Sequence, residues 1–405
     1  MTVRHASPSR PRAARHARRV RTHGVLRGVA LTGVAVLVFA VAGGAAVAAK
    51  LQGNLDQVDV SALVAPLATP TAAPDPNDPN KGNPVNILVL GSDSRAGVNA
   101  QIGGKAEGMR SDTAMVVHIS ADRSRISVVS IPRDSLVSIP SCTMTNGKTT
   151  RATTGMFNSA FATGWDNGGD MASAAACTIN TVQHDTGVTI NHFVVVDFSG
   201  FQQMVQSIGG VPMCIQSKIS DKDSGLFLNP GNQVLDGQTA LAFARARHNV
   251  GDGSDINRIG NQQQLVAAMV REVLSRDVLT NPGKLVSFLS AATSSLTTDK
   301  QMSITDMTGL AYNLRNIDRD NITFMTVPWA PAKSDKNRVE WTSAATQVWA
   351  DIANDVAPSD ATVPAPTATT APVPGATTAP VTPTPTQTKK AGKEEFSVAD
   401  TTAVC

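Results

Sequence analysis

Residues Gly28–Ala49, "GVALTGVAVLVFAVAGGAAVAA", run for 22 residues without a charge. At about 1.5 Å per residue a helix of that length crosses the apolar core of a bilayer. Ahead of it, residues 1–27 carry eight arginines and no acid, a bias that keeps them in the cytoplasm and sends everything after Lys50 outside. The sequence thus predicts a cytoplasmic basic arm (1–27), a single transmembrane helix (28–49) with a signal-anchor role, and an extracellular body. A cleaved signal peptide is the competing reading, since Ala46-Val47-Ala48 fits a small-residue cleavage site. The apolar region of such a signal is ordinarily about 7–15 residues. Either way the body is exported.

Charge and cysteine usage agree with that placement. Without the eight arginines of the arm, 27 basic residues face 32 acidic ones, so the body is slightly acidic and no nucleic-acid partner is expected. Cys142, Cys177, Cys214 and Cys405 contain no CxxC pair, which argues against a zinc knuckle or a redox motif and for an oxidising compartment. Of the three possible pairings, Cys142 with Cys177 is expected, because they flank one irregular segment while Cys405 sits in a tail. Cys214, in "GGVPMCI", reads as a small buried hydrophobe.

Composition then sets the edges of the body. Residues 65–84 and 357–390 are rich in Pro, Thr and Ala with little to bury. They bound an extracellular linker (50–83), one domain (84–357) and a C-terminal tail (358–405), whose last stretch, "EEFSVADTTAVC", has no readable role. Within the domain, "VNILVLG" (85–91) is a continuous apolar run ending at glycine, as in a strand buried on both faces. "AMVVHIS" and "RISVVSIP" around the polar "ADRS" predict an antiparallel hairpin beside it. Further strands are expected at 191–198 and 321–329. Helices are expected at 170–186, in "FSGFQQMVQSIGG" before its glycine stop, at 255–276 and at 304–316. The fold class that follows is α/β, an α/β/α sandwich with a central mixed β-sheet.

The charged residues sit at the ends of these elements. Asp93 and Arg95 follow the first buried strand, at the end where open α/β sheets present ligand groups. Arg110 and Asp112 precede the next strand and Arg133 and Asp134 follow the third, so a hairpin would bring Arg110, Asp112 and Arg133 together. "DGQTALAFA" reads as a short helix and "ARAR" as an extended piece with Arg245 and Arg247 on one face. After the turn "NVGDGSD", Asp255 is a candidate N-cap, which makes Arg258 the third residue of a helix and places Gln262 one turn later. Arginines at a helix N-terminus build an anion site, and guanidinium forks match phosphate oxygens. Two carboxylates among several arginines suit a pyrophosphate whose charge is shared with a divalent cation, Mg²⁺ or Mn²⁺.

The segments "NILVLGSDSR", "RSDTAMVV", "SVVSIPRD", "INHFVVVDFSGF", "IGGVPMCI", "LDGQTALAFARARH" and "GDGSDINRIGNQQQ" occur here in that order, over about 85–275. In this the chain resembles the LytR-CpsA-Psr family of membrane-anchored cell-wall glycopolymer ligases, actinobacterial members included. The resemblance implies a phosphotransferase that takes a glycopolymer, such as teichoic acid, from a polyprenyl-pyrophosphate-linked precursor held with its lipid in an apolar tunnel. The acceptor is a hydroxyl of peptidoglycan. It further implies that Asp93 and Asp112 hold the metal, that Arg95, Arg110, Arg133, Arg245, Arg247 and Arg258, helped by Gln262, bind the phosphates, and that Asp112, Arg133 and Arg110 carry the catalysis. For the general base, Asp112 and Asp134 both stand.

The chain departs from the family at one point. "RIGNQQ" puts Asn261 where the family usually has a second helix arginine, and Gly260 beside it weakens a helix by about 1 kcal/mol relative to alanine. An insertion, "AGVNAQIGGKAEG", reads as a loop near the site mouth. His118, His192 and His248 show no metal-ligand spacing, no GxSxG elbow supports a serine hydrolase, and no GxxxxGK[ST] loop supports nucleotide use. Two other functions are compatible with the same residues: a polyprenyl-pyrophosphate phosphohydrolase, and a non-catalytic binder of lipid-linked polymer that attenuates envelope regulation.

Overall fold

The apolar run after Pro84 becomes the central strand of an eight-stranded mixed sheet. The structure is a computed structural model that describes residues 44–65, 80–93, 99, 102, 109–247, 254–275, 281–358 and 389–400. Two units separate, 1–50 and 51–405. Of the first, only 44–50 are described, and these are helical. The expected transmembrane helix therefore lies largely outside the described residues, among which no helix is long and apolar enough to cross a membrane.

In the second unit the sheet strands are β1 (Asp56–Val58), β2 (Val85–Ser92), β3 (Ser111–Ile119), β4 (Ile126–Ile131), β5 (His192–Val196), β6 (Leu296–Asp299), β7 (Ile322–Thr326) and β8 (Phe396–Ser397). Their spatial order is β1-β6-β5-β2-β3-β4-β7-β8. β2 runs parallel to β5 and antiparallel to β3, β3 antiparallel to β4, and β4 parallel to β7. The C-terminal ends of β2, β4, β5 and β7 and the N-terminal end of β3 therefore share one edge of the sheet. The mixed sheet and the hairpin are as expected.

Helices cover both faces. α1 (Asn158–Gly168), α2 (Met171–Thr186) and α8 (Ser343–Ala353) pack Phe161, Ala174, Ile179, Val348 and Trp349 against Leu88, Leu90, Val116, Val129 and Phe193. Met115 of β3 and Val128 of β4, each next to a residue of that first face, and Phe324 of β7 meet Ala267 of α5 (Asp255–Val273) on the opposite face. Burying each such large side chain contributes about 1.5–3 kcal/mol. A third cluster joins α5 to α3 (Phe198–Ser207), α4 (Gly237–Arg245) and the two hairpins 211–235, with Val205, Met213, Leu226, Phe243 and Leu265 inside. α6 (Pro282–Thr293) packs beside α3, and α7 (Ile304–Leu314) lays Leu310 on Val85 and Ile119.

Two boundaries need correction. The linker read as 50–83 contains β1, which pairs with β6, while Val60 is buried and Leu63 and Val64 pack against the main core. The domain therefore starts near residue 51. At the other end the tail read as 358–405 is not all tail: residues 389–400 dock on the domain and supply β8, paired with β7. Both segments are edge additions of two or three residues, too short to show a period of two.

The Cys142–Cys177 disulfide forms as expected. Cys214 is not the buried thiol anticipated; it is half-buried and disulfide-bonded, with its partner outside the described residues.

Candidate functional site

The sheet edge at the C-terminal ends of β2 and β4 gathers the charged residues. Gly91 pairs with Thr113 but Ser92 pairs with Ser111, so β3 holds one extra residue, Asp112, at a bulge. A bulge of this kind re-aims the extra side chain out of the ladder. The close crossing needs glycine, because a Cβ on Gly91 would stand 3.0 Å from Cβ of Thr113. One residue on, Asp93 Oδ1 accepts the backbone N–H of Arg110 at 2.7 Å, and the Asp93 N–H donates to the Arg110 carbonyl at 3.0 Å.

Asp112 and Arg133 meet as the hairpin requires, Nη1 donating to Oδ1 at 2.9 Å. Arg133 Nε lies 3.3 Å from Asp255 Oδ1 and 3.8 Å from Asp134 Oδ2. Arg247 Nη2 lies 3.7 Å from the same Asp255 oxygen, which Arg258 Nη2 also bonds. Arg258, 4% exposed, adds a contact to the Asp112 carbonyl at 3.4 Å. One half-buried carboxylate, that of Asp255, thus collects three guanidiniums, with Asp112 beside them. At the rim Asp134 also faces Arg338 Nη1 at 3.6 Å.

The electrostatics separate the members of this cluster. Burial acts to raise the Asp112 carboxyl, but Arg133, Arg258 and Arg247 outweigh it and hold its pKa below the ordinary value. For Asp255 burial wins over Arg258 and Arg133, and its pKa is raised. Burial opposes the charge on Arg133 too, yet Asp112, Asp255 and Asp134 keep its pKa high. Arg258 is pushed down to about 10 by burial, with the like charges of Arg133 and Arg247 adding to it against the attraction of Asp255. Arg133 Nε, Arg247 Nη2, Arg258 Nε and Asp255 Oδ2 are buried without a hydrogen-bond partner among the described residues. Such groups are costly unless a polar ligand meets them.

Several sequence expectations change here. Arg245 and Arg247 do not share an extended face, because α4 continues through Arg245 and the chain turns extended only at Ala246. The Arg245 guanidinium consequently stands over the Phe198 ring, 4.7 Å from its centroid, while Arg247 reaches Asp255. Ser254, not Asp255, caps α5, its side chain accepting the Asn257 N–H. Arg110 is exposed and joins through its backbone alone among the contacts described. Gln262 donates its amide to the Ala244 carbonyl at 3.2 Å, tying α5 to α4. Arg95 lies outside the described residues, as does most of the 96–108 insertion. Within the insertion Asn99 is buried, bonded to Asp197 and to the Ser199 N–H. The hub Asp255 was legible only as a cap, although its spacing of three from Arg258 is that of a helical ion pair.

For a divalent cation, no group of three or more His, Cys, Asp or Glu side chains stands close enough to hold one among the described residues. Mg²⁺ commonly takes only one or two carboxylates and completes its shell with phosphate oxygens and water. Asp93 and Asp112, set at adjoining strand ends by the Ser92–Ser111 pairing, fit that mode, and the lowered pKa of Asp112 keeps it ionised.

The family model described as the LytR_cpsA_psr family matches residues 48–354. The cell wall biosynthesis protein LcpA of Corynebacterium glutamicum is 30% identical over 263 residues, 60% of this chain and 49% of its own. A polyisoprenyl-teichoic acid–peptidoglycan teichoic acid transferase, TagU of Enterococcus faecalis, is 27% identical over 237 residues, 58% of this chain and 68% of its own. The chain thus spans about half the length of LcpA and about two thirds of that of TagU. Among solved structures, B. subtilis TagV matches with a TM-score of 0.52 at 23% identity over 68% of this chain and 98% of TagV, a likeness of fold.

Proposed function

Because the chain belongs to the LytR-CpsA-Psr family, we propose that it is a membrane-anchored phosphotransferase that moves a glycopolymer from a polyprenyl-pyrophosphate carrier to peptidoglycan outside the cell. The observation that carries this reading is the set of three guanidiniums, Arg133, Arg247 and Arg258, drawn onto the half-buried Asp255 next to Asp112. The names of the relatives, cell wall biosynthesis protein and teichoic acid transferase, agree with it. The apolar run Gly28–Ala49 supports the anchor and the arginine arm supports the orientation.

In the reaction, an acceptor hydroxyl attacks the phosphorus that bears the glycan. The bond from that phosphorus to the bridging oxygen breaks, and polyprenyl phosphate leaves with the electron pair. Such a transfer is accelerated mainly by positioning and by neutralising charge on the phosphoryl oxygens. Arg133, Arg247 and Arg258 bind those oxygens, and Asp255 holds the three guanidiniums together against their mutual repulsion. Asp134, at the rim and half engaged by Arg133 and Arg338, takes the proton of the hydroxyl. Asp93 and Asp112 would hold Mg²⁺ or Mn²⁺, whose charge screens the pyrophosphate. Asp112, tied to Arg133 and needed for the cation when one is bound, would be poorly free to accept a proton.

The test is the full chain in detergent with a synthetic polyprenyl-pyrophosphate glycan, Mg²⁺ and a peptidoglycan oligomer. Coupled glycan and polyprenyl phosphate are expected in equal amounts, and Asp112→Ala removes both. Polyprenyl phosphate without coupling would instead make the protein a phosphohydrolase, and binding without either product would make it a non-catalytic binder.

A further inference from the structure

The stretch after the Pro/Thr/Ala-rich segment forms a strap across the domain, and its contacts converge on the helix that bears Arg258. β8 pairs Phe396 with Phe324 and Ser397 with Thr323 at the edge of the sheet. The Phe396 ring stacks on Phe324 with centroids 5.4 Å apart, and Val398 is fully buried. Asp400 closes the turn beyond, accepting the Ser397 N–H at 2.7 Å and pairing with Lys389 at 3.0 Å. Ahead of β8 the chain turns at Gly392, whose φ of +84° is a conformation glycine adopts without strain. At this turn the strap meets α5 backbone against backbone. A Cβ on Gly260 would lie 2.4 Å from the Ala391 carbonyl oxygen, and one on Gly392 would lie 2.6 Å from the Ile256 carbonyl oxygen and 2.9 Å from the Gly260 nitrogen. Ile256 and Gly260 bracket Arg258 by two residues on each side.

One buried side chain completes the junction. Gln263 accepts the Gly392 N–H at 2.9 Å and donates to Ser130 Oγ and the Met325 carbonyl, both at 2.9 Å, and to Thr326 Oγ1 at 3.2 Å. Ser130 lies three residues before Arg133 on β4, so the same amide ties the strap, the first turns of α5 and the strand that presents Arg133.

The structure assigns to residues 389–400 a positioning role for the phosphate site: the strap sets the place of the first two turns of α5, with Gly260, Gln263 and Gly392 as positioning residues for Arg258. The inference deepens the phosphotransferase reading and rests on it for the identity of the anion. It also accounts for a glycine inside α5, since the helix preference for alanine yields here to the approach of a second backbone.

The experiment uses the full chain in detergent as wild type, Gly260→Ala, Gly392→Ala and a control, Gly53→Ala, which sits in a helical stretch with nothing within 4 Å of its added methyl. Amide exchange of residues 255–262 and calorimetric affinity for inorganic pyrophosphate are measured at one temperature well below every melting point. In Gly260→Ala and Gly392→Ala, exchange at 255–262 is expected to quicken and pyrophosphate affinity to fall, each by about tenfold or more. The control is expected to alter neither and to melt about 2 °C higher. Gly260→Ala behaving like the control would overturn the inference. Faster exchange with undiminished pyrophosphate affinity would reduce the strap to a purely structural element and refute the positioning role. If the wild type binds no pyrophosphate, the phosphotransferase reading fails by itself, and the exchange data still decide whether the strap holds α5.

Discussion

The arginine cluster is expected to cost the fold stability, and the pair Arg258 and Asp255 allows the cost to be measured. Arg258 is 4% exposed and its pKa is pushed down to about 10, burial outweighing the attraction of Asp255. Set against the ordinary guanidinium value at about 1.4 kcal/mol per tenfold in proton affinity, the charged form is disfavoured in the folded state by about 3 kcal/mol. Asp255 is raised for the same leading reason, its burial. Both partners are thus penalised by leaving water more than they gain from each other, the regime in which replacing a buried ion pair by neutral groups of similar size is neutral or stabilising. The double variant Arg258→Met/Asp255→Asn is expected to be as stable as the wild type or up to about 3 kcal/mol more stable in urea unfolding. Arg258→Met alone leaves Asp255 between Arg133 and Arg247 and is expected to fall below the double variant. Pyrophosphate binding, followed by calorimetry, is lost in both. A double variant destabilised by more than about 2 kcal/mol would refute the argument, because the pair would then be a source of stability and not an expense borne for an anion.

Three further outcomes follow from particular contacts. His118 is fully buried between Asn86 and Asp355, and burial, against the pull of Asp355, lowers its pKa. The unfolded chain takes up a proton at this site below about pH 6.5 while the folded chain does not, so stability is full above that pH and declines as the pH falls toward the lowered folded value. His118→Gln should remove this part of the pH dependence in urea titrations at pH 7.5 and 5.5; an unchanged difference between the two would sink the assignment. Gly164→Ala places a methyl 2.2 Å from the Ser173 carbonyl oxygen and 2.6 Å from Ala174 Cα where α1 crosses α2, and should cost about 3 kcal/mol or more, read as a lowered melting temperature. The Cys142–Cys177 bridge closes a separation of 35 residues, and its removal in Cys142→Ala/Cys177→Ala should cost about 4 kcal/mol on the chain-entropy model, checked by chemical denaturation under non-reducing conditions.

What the sequence alone determined is local. Apolar runs bounded by glycine or polar turns marked β2, β3, β4 and β5, and the helical pattern of residues 170–186 and 255–276 marked α2 and α5, because a strand or helix with a buried face must carry its pattern in consecutive residues. Arg133 beside Asp112 also followed locally, from two strands joined by a four-residue turn. The tertiary structure decided what depends on residues far apart in the chain. β1 and β8 have three and two residues and exist only because β6 and β7 offer open edges. The bulge that frees Asp112 depends on how β2 meets β3, which no periodicity records. Asp255 looked like a helix cap until Arg133 and Arg247, brought from β4 and the end of α4, surrounded it. Gly260, a weak point in an isolated helix, became a contact once the backbone at Ala391 lay against it. Short-range preferences choose elements. The charge of a site is set by desolvation and by neighbours that only folding assembles.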